Sequence, residues 1–152
     1  MNIVRYIKPR HIVLELGAAD KRSALSSLLG ILADADVVPR EKTPELLQAL
    51  IEREIQTSTG VGHGVALPHV KTDAVDEIQI AFGRSLEGLD FEALDGNPAH
   101  FFFLVLAPLR KACEYLKVLS QISVLMKDKD KRRSLLRAKT PEDIFKILDD
   151  TV

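Results

Sequence analysis

Residues 57–69 read TSTGVGHGVALPH, and the interpretation of this stretch governs that of the whole 152-residue chain. Gly60, Gly62 and Gly64 alternate with single residues, and the run closes on Leu67-Pro68-His69. Glycine has no Cβ, so the backbone here can reach positive φ and bring its N–H groups close to a ligand. Pro68 fixes its own φ and pushes Leu67 into an extended conformation, so His69 leaves the loop in a restricted direction. Ser58 and Thr59 add hydroxyl donors beside the same loop. The combination suggests a backbone cradle for an anion, with one imidazole delivered to its mouth.

Two familiar glycine motifs fail against it. A P-loop needs Lys and then Ser or Thr after its last glycine, and here Val65 and Ala66 follow Gly64. The dinucleotide fingerprint needs a third small residue three places after its second glycine. Counting from Gly60 that place holds Val65, and from Gly62 it holds Leu67. No nucleotide is implied. For the glycines alone, a hairpin or bulge in which they only relieve sterics is the better reading. The Pro-His pair after Arg53-Glu54 argues for more.

Outward from the loop, the chain reads as one domain over residues 1–152, large enough to bury a core. Apolar residues make up 46%, which argues against disorder. With 21 Lys plus Arg against 22 Asp plus Glu, no global field favours nucleic acid or an anionic membrane. The longest apolar run, 101–108, is too short to span a bilayer, and residues 1–10 lack the apolar core of a signal peptide. The single cysteine, Cys113, cannot form an internal disulfide, fits a reducing cytoplasm, and reads as a small buried hydrophobe.

Residues 11–16 (HIVLEL) read as a strand ending at Gly17. Asp20 is a candidate N-cap for a helix carrying Leu25, Leu28, Leu29 and Leu32. Thr43-Pro44-Glu45 supplies a cap, a first-turn proline and a first-turn acid for a second helix burying Leu46, Leu47, Leu50 and Ile51. Arg53 falls near that helix's C-terminus, where pairing with the dipole or an acid would explain it. Residues 64–67 start a strand. Ile78, Ile80 and Phe82 alternate with Gln79 and Ala81, as in a half-buried strand ending at Gly83. Phe91 to Leu94 leads to an Asp95-Gly96 turn, and 101–106 is apolar throughout, as in a strand covered on both faces.

Tyr115, Leu116, Leu119, Ile122 and Met126 mark one helical face. Leu135 and Leu136 sit in a short helix, and Thr140-Pro141 starts the last one, which carries Ile144, Phe145, Ile147 and Leu148. Residues 127–133 (KDKDKRR) are interrupted by two Asp and hold no aromatic, so they read as a solvated helix connection, not a nucleic-acid contact. The expected fold is α/β: a three-layer sandwich with a central mixed sheet of about four to six strands and helices on both faces.

His69 has three chemical options. As a metal ligand it lacks partners at zinc spacing, with His63 its only histidine neighbour, so no metal is expected. As a general base it could act on Ser58 or Thr59, but nothing supplies a triad. As a nucleophile, a neutral imidazole has one free lone pair.

Arg53-Glu54, then 58–62 (STGVG) and 64–69 (GVALPH), resemble the active-site signature of enzyme IIA proteins of the fructose/mannitol class. These belong to the bacterial phosphoenolpyruvate-dependent phosphotransferase system, and the stand-alone nitrogen-regulatory enzyme IIA is the most similar type. The start near Asp20-Lys21, Phe91-Glu92-Ala93-Leu94-Asp95 before an apolar strand, and the late leucine-rich helix follow the family's order, so the resemblance covers roughly residues 1–148.

The resemblance selects the nucleophile: His69 takes a phosphoryl group from phosphohistidine on the carrier HPr, on Nε2. Arg53, Thr59, Ser58 and the N–H groups of Gly60, Gly62 and Gly64 would stabilise the phosphoryl oxygens. It implies no cofactor, because the donor is already a phosphohistidine. The implied protein is cytoplasmic, with HPr and either regulatory targets or an enzyme IIB as partners, no nucleic acid and no direct membrane insertion. Where many relatives carry a second active-site histidine, this chain has Tyr115, which brings no charge at neutral pH. His63 could compensate, although an exposed loop side chain is the plainer reading. Tyr115 could equally be core, one turn before Leu119. The chain ends at Val152 without an attached IIB or membrane segment, which favours regulation over sugar transport. A non-phosphorylated binding module of the same fold is the third reading.

Overall fold

The computed structural model of the protein describes residues 2–149; Met1 and residues 150–152, with the expectation drawn from the end at Val152, lie outside them. The centre of the sheet is an antiparallel pair, β5 (Gln79–Leu89) and β6 (Ala99–Ala107), in register from Gln79 opposite Leu106 to Arg84 opposite Phe101. β1 (Ile12–Val13) pairs parallel with β5 on its outer side. On the other edge of β6 lie β3 (Val65–Ala66) and, further along, β4 (His69–Lys71), both parallel to it. β2 (Gly60–Gly62) closes the sheet antiparallel to β3, giving the order β1-β5-β6-β3-β2 with β4 on β6.

Helices α1 (Lys21–Asp34) and α2 (Thr43–Gln56) cover one face of the sheet, while α3 (Ala112–Leu125), α4 (Lys129–Arg137) and α5 (Pro141–Leu148) cover the other. The alternation of β6 feeds both cores. Phe102, Leu104 and Leu106 pack with Leu25, Leu28 and Leu50, and Phe101, Phe103 and Val105 pack with Val118, Ile122 and Ile144. A strand between two apolar layers has no polar side, which is why 101–106 carries no alternation. The architecture is the expected α/β three-layer sandwich with a mixed six-stranded sheet. Among the described residues, no helix is long and apolar enough to cross a membrane.

Local expectations fared unevenly. Asp20 caps α1 in a capping box with Ser23. Thr140 caps α5, with Pro141 in its first turn. Thr43 is no cap: a 3-10 turn over Arg40–Lys42 runs straight into α2, and the Thr43 hydroxyl donates to the Arg40 carbonyl. Leu47 and Ile51 are only half-buried, because Leu46 and Leu50 form the inward stripe of α2.

The first strand shrinks to two residues, since Pro9–His11 forms a 3-10 turn before it. β5 continues past Gly83 to Leu89 and is covered on both faces at Ile80, Ala81 and Phe82, as suits a strand flanked by neighbours on each side. On α3 the inward face is Tyr115, Val118, Ile122 and Leu125, which leaves Leu116 and Cys113 exposed. Cys113 is therefore not a core residue. Leu136 is likewise exposed, and 127–133 is largely the start of α4, capped by Asp128, not a connection.

Candidate functional site

His69 is the first residue of β4, opposite Val105 of β6. Pro68 has no N–H to donate, but its carbonyl accepts from Val105 N at 3.0 Å, and Leu67 N donates to the Thr59 carbonyl at 2.9 Å. Both residues before His69 are thus tied down, Leu67 to the loop at Thr59 and Pro68 to β6. His69 Nδ1 lies 2.6 Å from the Leu67 carbonyl oxygen. A carbonyl only accepts, so Nδ1 carries the proton and Nε2 of the neutral ring keeps its lone pair. Burial pushes the His69 pKa below the ordinary histidine value; the Leu67 bond opposes that shift, Arg53's charge adds to it and Glu54's opposes it. The half-buried imidazole is therefore neutral at pH 7, with its free lone pair on Nε2.

Tyr115 packs against this ring, and the charge of Arg53 reaches it. The Tyr115 ring centroid stands 5.9 Å from that of His69, tilted by 56°. Burial raises the Tyr115 pKa, partly offset by the charge of Arg53, so its hydroxyl stays a neutral donor. Tyr115 is both things the sequence allowed: a buried residue of α3 and a neighbour of His69. Arg53, in the last turn of α2, bonds the Thr57 carbonyl at 2.8 Å through Nη1, serving the helix end while its charge is felt at both rings.

The glycine loop is built differently. His63 and Gly64 form the turn between β2 and β3 with φ of 57° and 76°, the positive pair that a two-residue hairpin turn requires. Gly60 sits so close to Ala93 that a Cβ would lie 2.9 Å from its Cα. The Gly64 carbonyl accepts from His100 N and Phe101 N. Val65 opposes Phe101 and His69 opposes Val105, so the hairpin tip stands roughly 13 Å or more from His69 along β6. Gly62, His63 and Gly64 are thus not brought to the imidazole, and His63 is exposed. The Ser58 hydroxyl donates to the Phe91 carbonyl at 2.6 Å and accepts from Gly60 N at 3.0 Å. The Thr59 hydroxyl is buried and donates to Glu54.

Glu54 and Lys21 are the functional candidates that the sequence reading left without a role. The Glu54 carboxylate, 4% exposed, accepts from Lys21 Nζ at 3.0 Å and from Thr59 N at 3.1 Å. Lys21 also stands 4.7 Å over the Phe91 ring, a cation–π contact. A signal existed in the spacing: Glu54 continues the inward i, i+4 stripe of Leu46 and Leu50, where an unpaired acid would be costly.

Comparison with known proteins finds relatives along nearly the whole chain. Residues 5–151 match the family model described as "Phosphoenolpyruvate-dependent sugar phosphotransferase system, EIIA 2". A "PTS system fructose-specific EIIA component" of Haloferax volcanii is 39% identical over 141 residues, covering 93% of this chain and 90% of the relative. A "Nitrogen regulatory protein" of Bradyrhizobium diazoefficiens is 32% identical over 148 residues, 97% of this chain and 95% of its own. Among solved structures, the nitrogen regulatory protein IIA-Ntr of Neisseria meningitidis superposes with a TM-score of 0.86 at 31% identity, covering 96% of this chain and 98% of that one. The chain belongs to the EIIA 2 family of the phosphoenolpyruvate-dependent sugar phosphotransferase system.

Proposed function

We propose that the protein is a cytoplasmic phosphohistidine carrier that accepts a phosphoryl group from an HPr-type protein on His69 and acts as a regulatory enzyme IIA of the nitrogen type. The observation that carries the reading is the Leu67 bond to Nδ1, which leaves the Nε2 lone pair as the only nucleophilic position of the ring. In the step, Nε2 attacks phosphorus in line, the Nε2–P bond forms and the P–N bond of the donor phosphohistidine breaks. The donor imidazole leaves with the electron pair of that bond. The Nδ1 proton of His69 stays in place, bonded to Leu67, and stabilises the ring as it gains positive character. Arg53 would release the Thr57 carbonyl to bond a phosphoryl oxygen, and Tyr115 supplies a neutral donor.

Gly60, Ser58 and Thr59 support the geometry here, since their polar groups are engaged with one another, with the Phe91 carbonyl and with Glu54. Reconstitution with phosphoenolpyruvate, enzyme I and HPr tests the assignment. Acid-labile label should enter the native protein and be lost in His69→Ala; label kept by that variant would contradict it.

A second reading, transfer onward to a separate enzyme IIB for sugar uptake, is favoured by the fructose-specific relative. The exposed Leu116 beside Tyr115 on α3 also offers an apolar contact for a protein partner. Mixing the phosphorylated protein with a fructose-type enzyme IIB separates the two. Rapid transfer supports transport, and a stable phosphoprotein supports regulation.

A further inference from the structure

Residues 54, 59, 67 and 69 are linked by a continuous series of hydrogen bonds that ends on the reacting ring. Glu54 accepts from the backbone N–H of Thr59 at 3.1 Å and from its hydroxyl. The Thr59 carbonyl accepts from Leu67 N at 2.9 Å. The Leu67 carbonyl accepts from His69 Nδ1 at 2.6 Å. Lys21 anchors the far end of the carboxylate at 3.0 Å, so α1, α2 and the loop meet at one acid. Glu54, Thr59 and Leu67 are all buried. Water cannot replace a lost partner freely at such positions, and each bond constrains the next.

We infer that Glu54 is a positioning residue for His69: it clamps Thr59, and through the Thr59–Leu67 backbone bond it holds the carbonyl that keeps the imidazole protonated on Nδ1. The inference deepens the proposed phosphorylation of His69 and rests on it for its kinetic consequence, but not for its structural one. Only Leu67 holds the tautomer directly. Leu67 and Pro68 are pinned from two sides, by Thr59 of the loop and Val105 of β6. Removing the Glu54 clamp frees the first of these while leaving the second, so the Leu67–Pro68 segment can rotate its carbonyl away from His69. A neutral imidazole without that acceptor divides between its two tautomers, and the Nε2–H form has no lone pair at the reacting atom. Glu54 itself never touches the phosphoryl group.

The charge of Glu54 has a second effect at the same ring. It favours the protonated imidazole, opposite in sign to that of Arg53. Glu54→Gln keeps an acceptor oxygen for Thr59 and removes the charge. Glu54→Ala removes both. The two variants therefore separate clamping from electrostatics.

The test is 15N-detected NMR of the His69 ring nitrogens in the full chain, with phosphorylation rates measured on the same samples. Wild type is expected to show one tautomer, protonated on Nδ1. Glu54→Gln should retain that tautomer with a lower His69 pKa and a rate within about threefold of wild type. Glu54→Ala should show a mixture with substantial Nε2–H and a rate about tenfold lower, with an unchanged KM for the phosphorylated donor. An Ala variant that is folded, keeps a single Nδ1–H tautomer and reacts at the native rate would overturn the inference. If the Ala variant does not fold, Thr59→Val decides: it removes the hydroxyl half of the clamp, and a tautomer ratio identical to wild type would overturn the inference. The NMR arm needs no phosphoryl donor, so failure of the carrier reading and failure of the clamp give different results.

Discussion

The Tyr115 ring packs 5.9 Å from the His69 ring, joining the first turn of α3 to the first residue of β4. A tyrosine there gives the imidazole an apolar wall and one uncharged hydroxyl. Burial keeps that hydroxyl protonated, so under the proposed phosphorylation it would donate to a phosphoryl oxygen without neutralising its charge.

Tyr115→Phe should preserve the fold, because the buried ring is retained. It should slow phosphorylation by the loss of one neutral hydrogen bond, about 0.5–1.5 kcal/mol. Tyr115→His should hold or raise the rate, since an imidazole can donate and partly charge, while melting at a lower temperature. Stopped-flow or quench-flow rates with thermal melts check both. A Phe variant at the native rate would leave Tyr115 as packing only.

Arg53→Ala should lower the rate far more than the stability. Losing a positioned donor to a transferring group costs on the order of 2.7–4 kcal/mol of transition-state stabilisation. The bond to Thr57 is at an exposed helix end, so its loss should be a minor destabilisation. Arg53→Lys should fall between, keeping charge without the guanidinium fork. Native-rate phosphorylation of the Ala variant would reduce Arg53 to a helix-end residue.

His69 and the buried His11 both have pKa values below the ordinary histidine value, each mainly through burial. The unfolded chain binds more protons at these sites as pH falls below about 6.5, so folding stability should be full above that pH and decline as pH drops through the lowered folded values. Phosphorylation should stay on its plateau below pH 6.5, because the folded ring is still neutral there. Urea unfolding and rates between pH 8 and 5 test this. A rate midpoint at or above 6.5 would contradict it.

Gly60 and Gly30 make a paired prediction. A Cβ at Gly60 would meet Ala93 at 2.9 Å, a contact with backbone that cannot give way cheaply. Gly60→Ala should destabilise by roughly 1–3 kcal/mol and disturb the loop that carries Thr59. Gly30 lies within α1 with open space around its Cβ position, so Gly30→Ala should stabilise by roughly 0.4–1 kcal/mol. Chemical denaturation of both variants checks the signs.

The sandwich was legible because its signals are periodic and redundant: the Asp20 and Thr140 caps, the Leu25-Leu28-Leu32 stripe and the unbroken apolar run of β6 each point to one element. His69 was singled out by the Gly-loop and Pro68, and Tyr115 by the family resemblance; the structure sets the two rings side by side. Less accessible was the direction in which polar groups spend their bonds. Ser58 and Thr59 look like ligand donors in a string of letters, yet their hydroxyls turn to Phe91 and Glu54, partners 33 and five residues away. The burial of Glu54 could be read from the inward stripe of α2, but its pairing with Lys21 from α1 is a contact that no local pattern encodes. Cys113 and Leu116 were misplaced because the inward face of α3 is set by the direction of Val118 and Ile122 toward the sheet, a rotation of the helix that hydrophobic spacing alone left ambiguous.

The central claim, that His69 carries the phosphoryl group on Nε2 while Nδ1 stays bonded to Leu67, has a direct measurement. The protein, 15N-labelled at histidine and phosphorylated through enzyme I and HPr, is observed by ring-nitrogen NMR with 31P coupling. The account predicts a single phosphohistidine at position 69, with phosphorus coupled to Nε2 and a protonated Nδ1. Phosphorus on Nδ1, or on His11, His63 or His100, would contradict it.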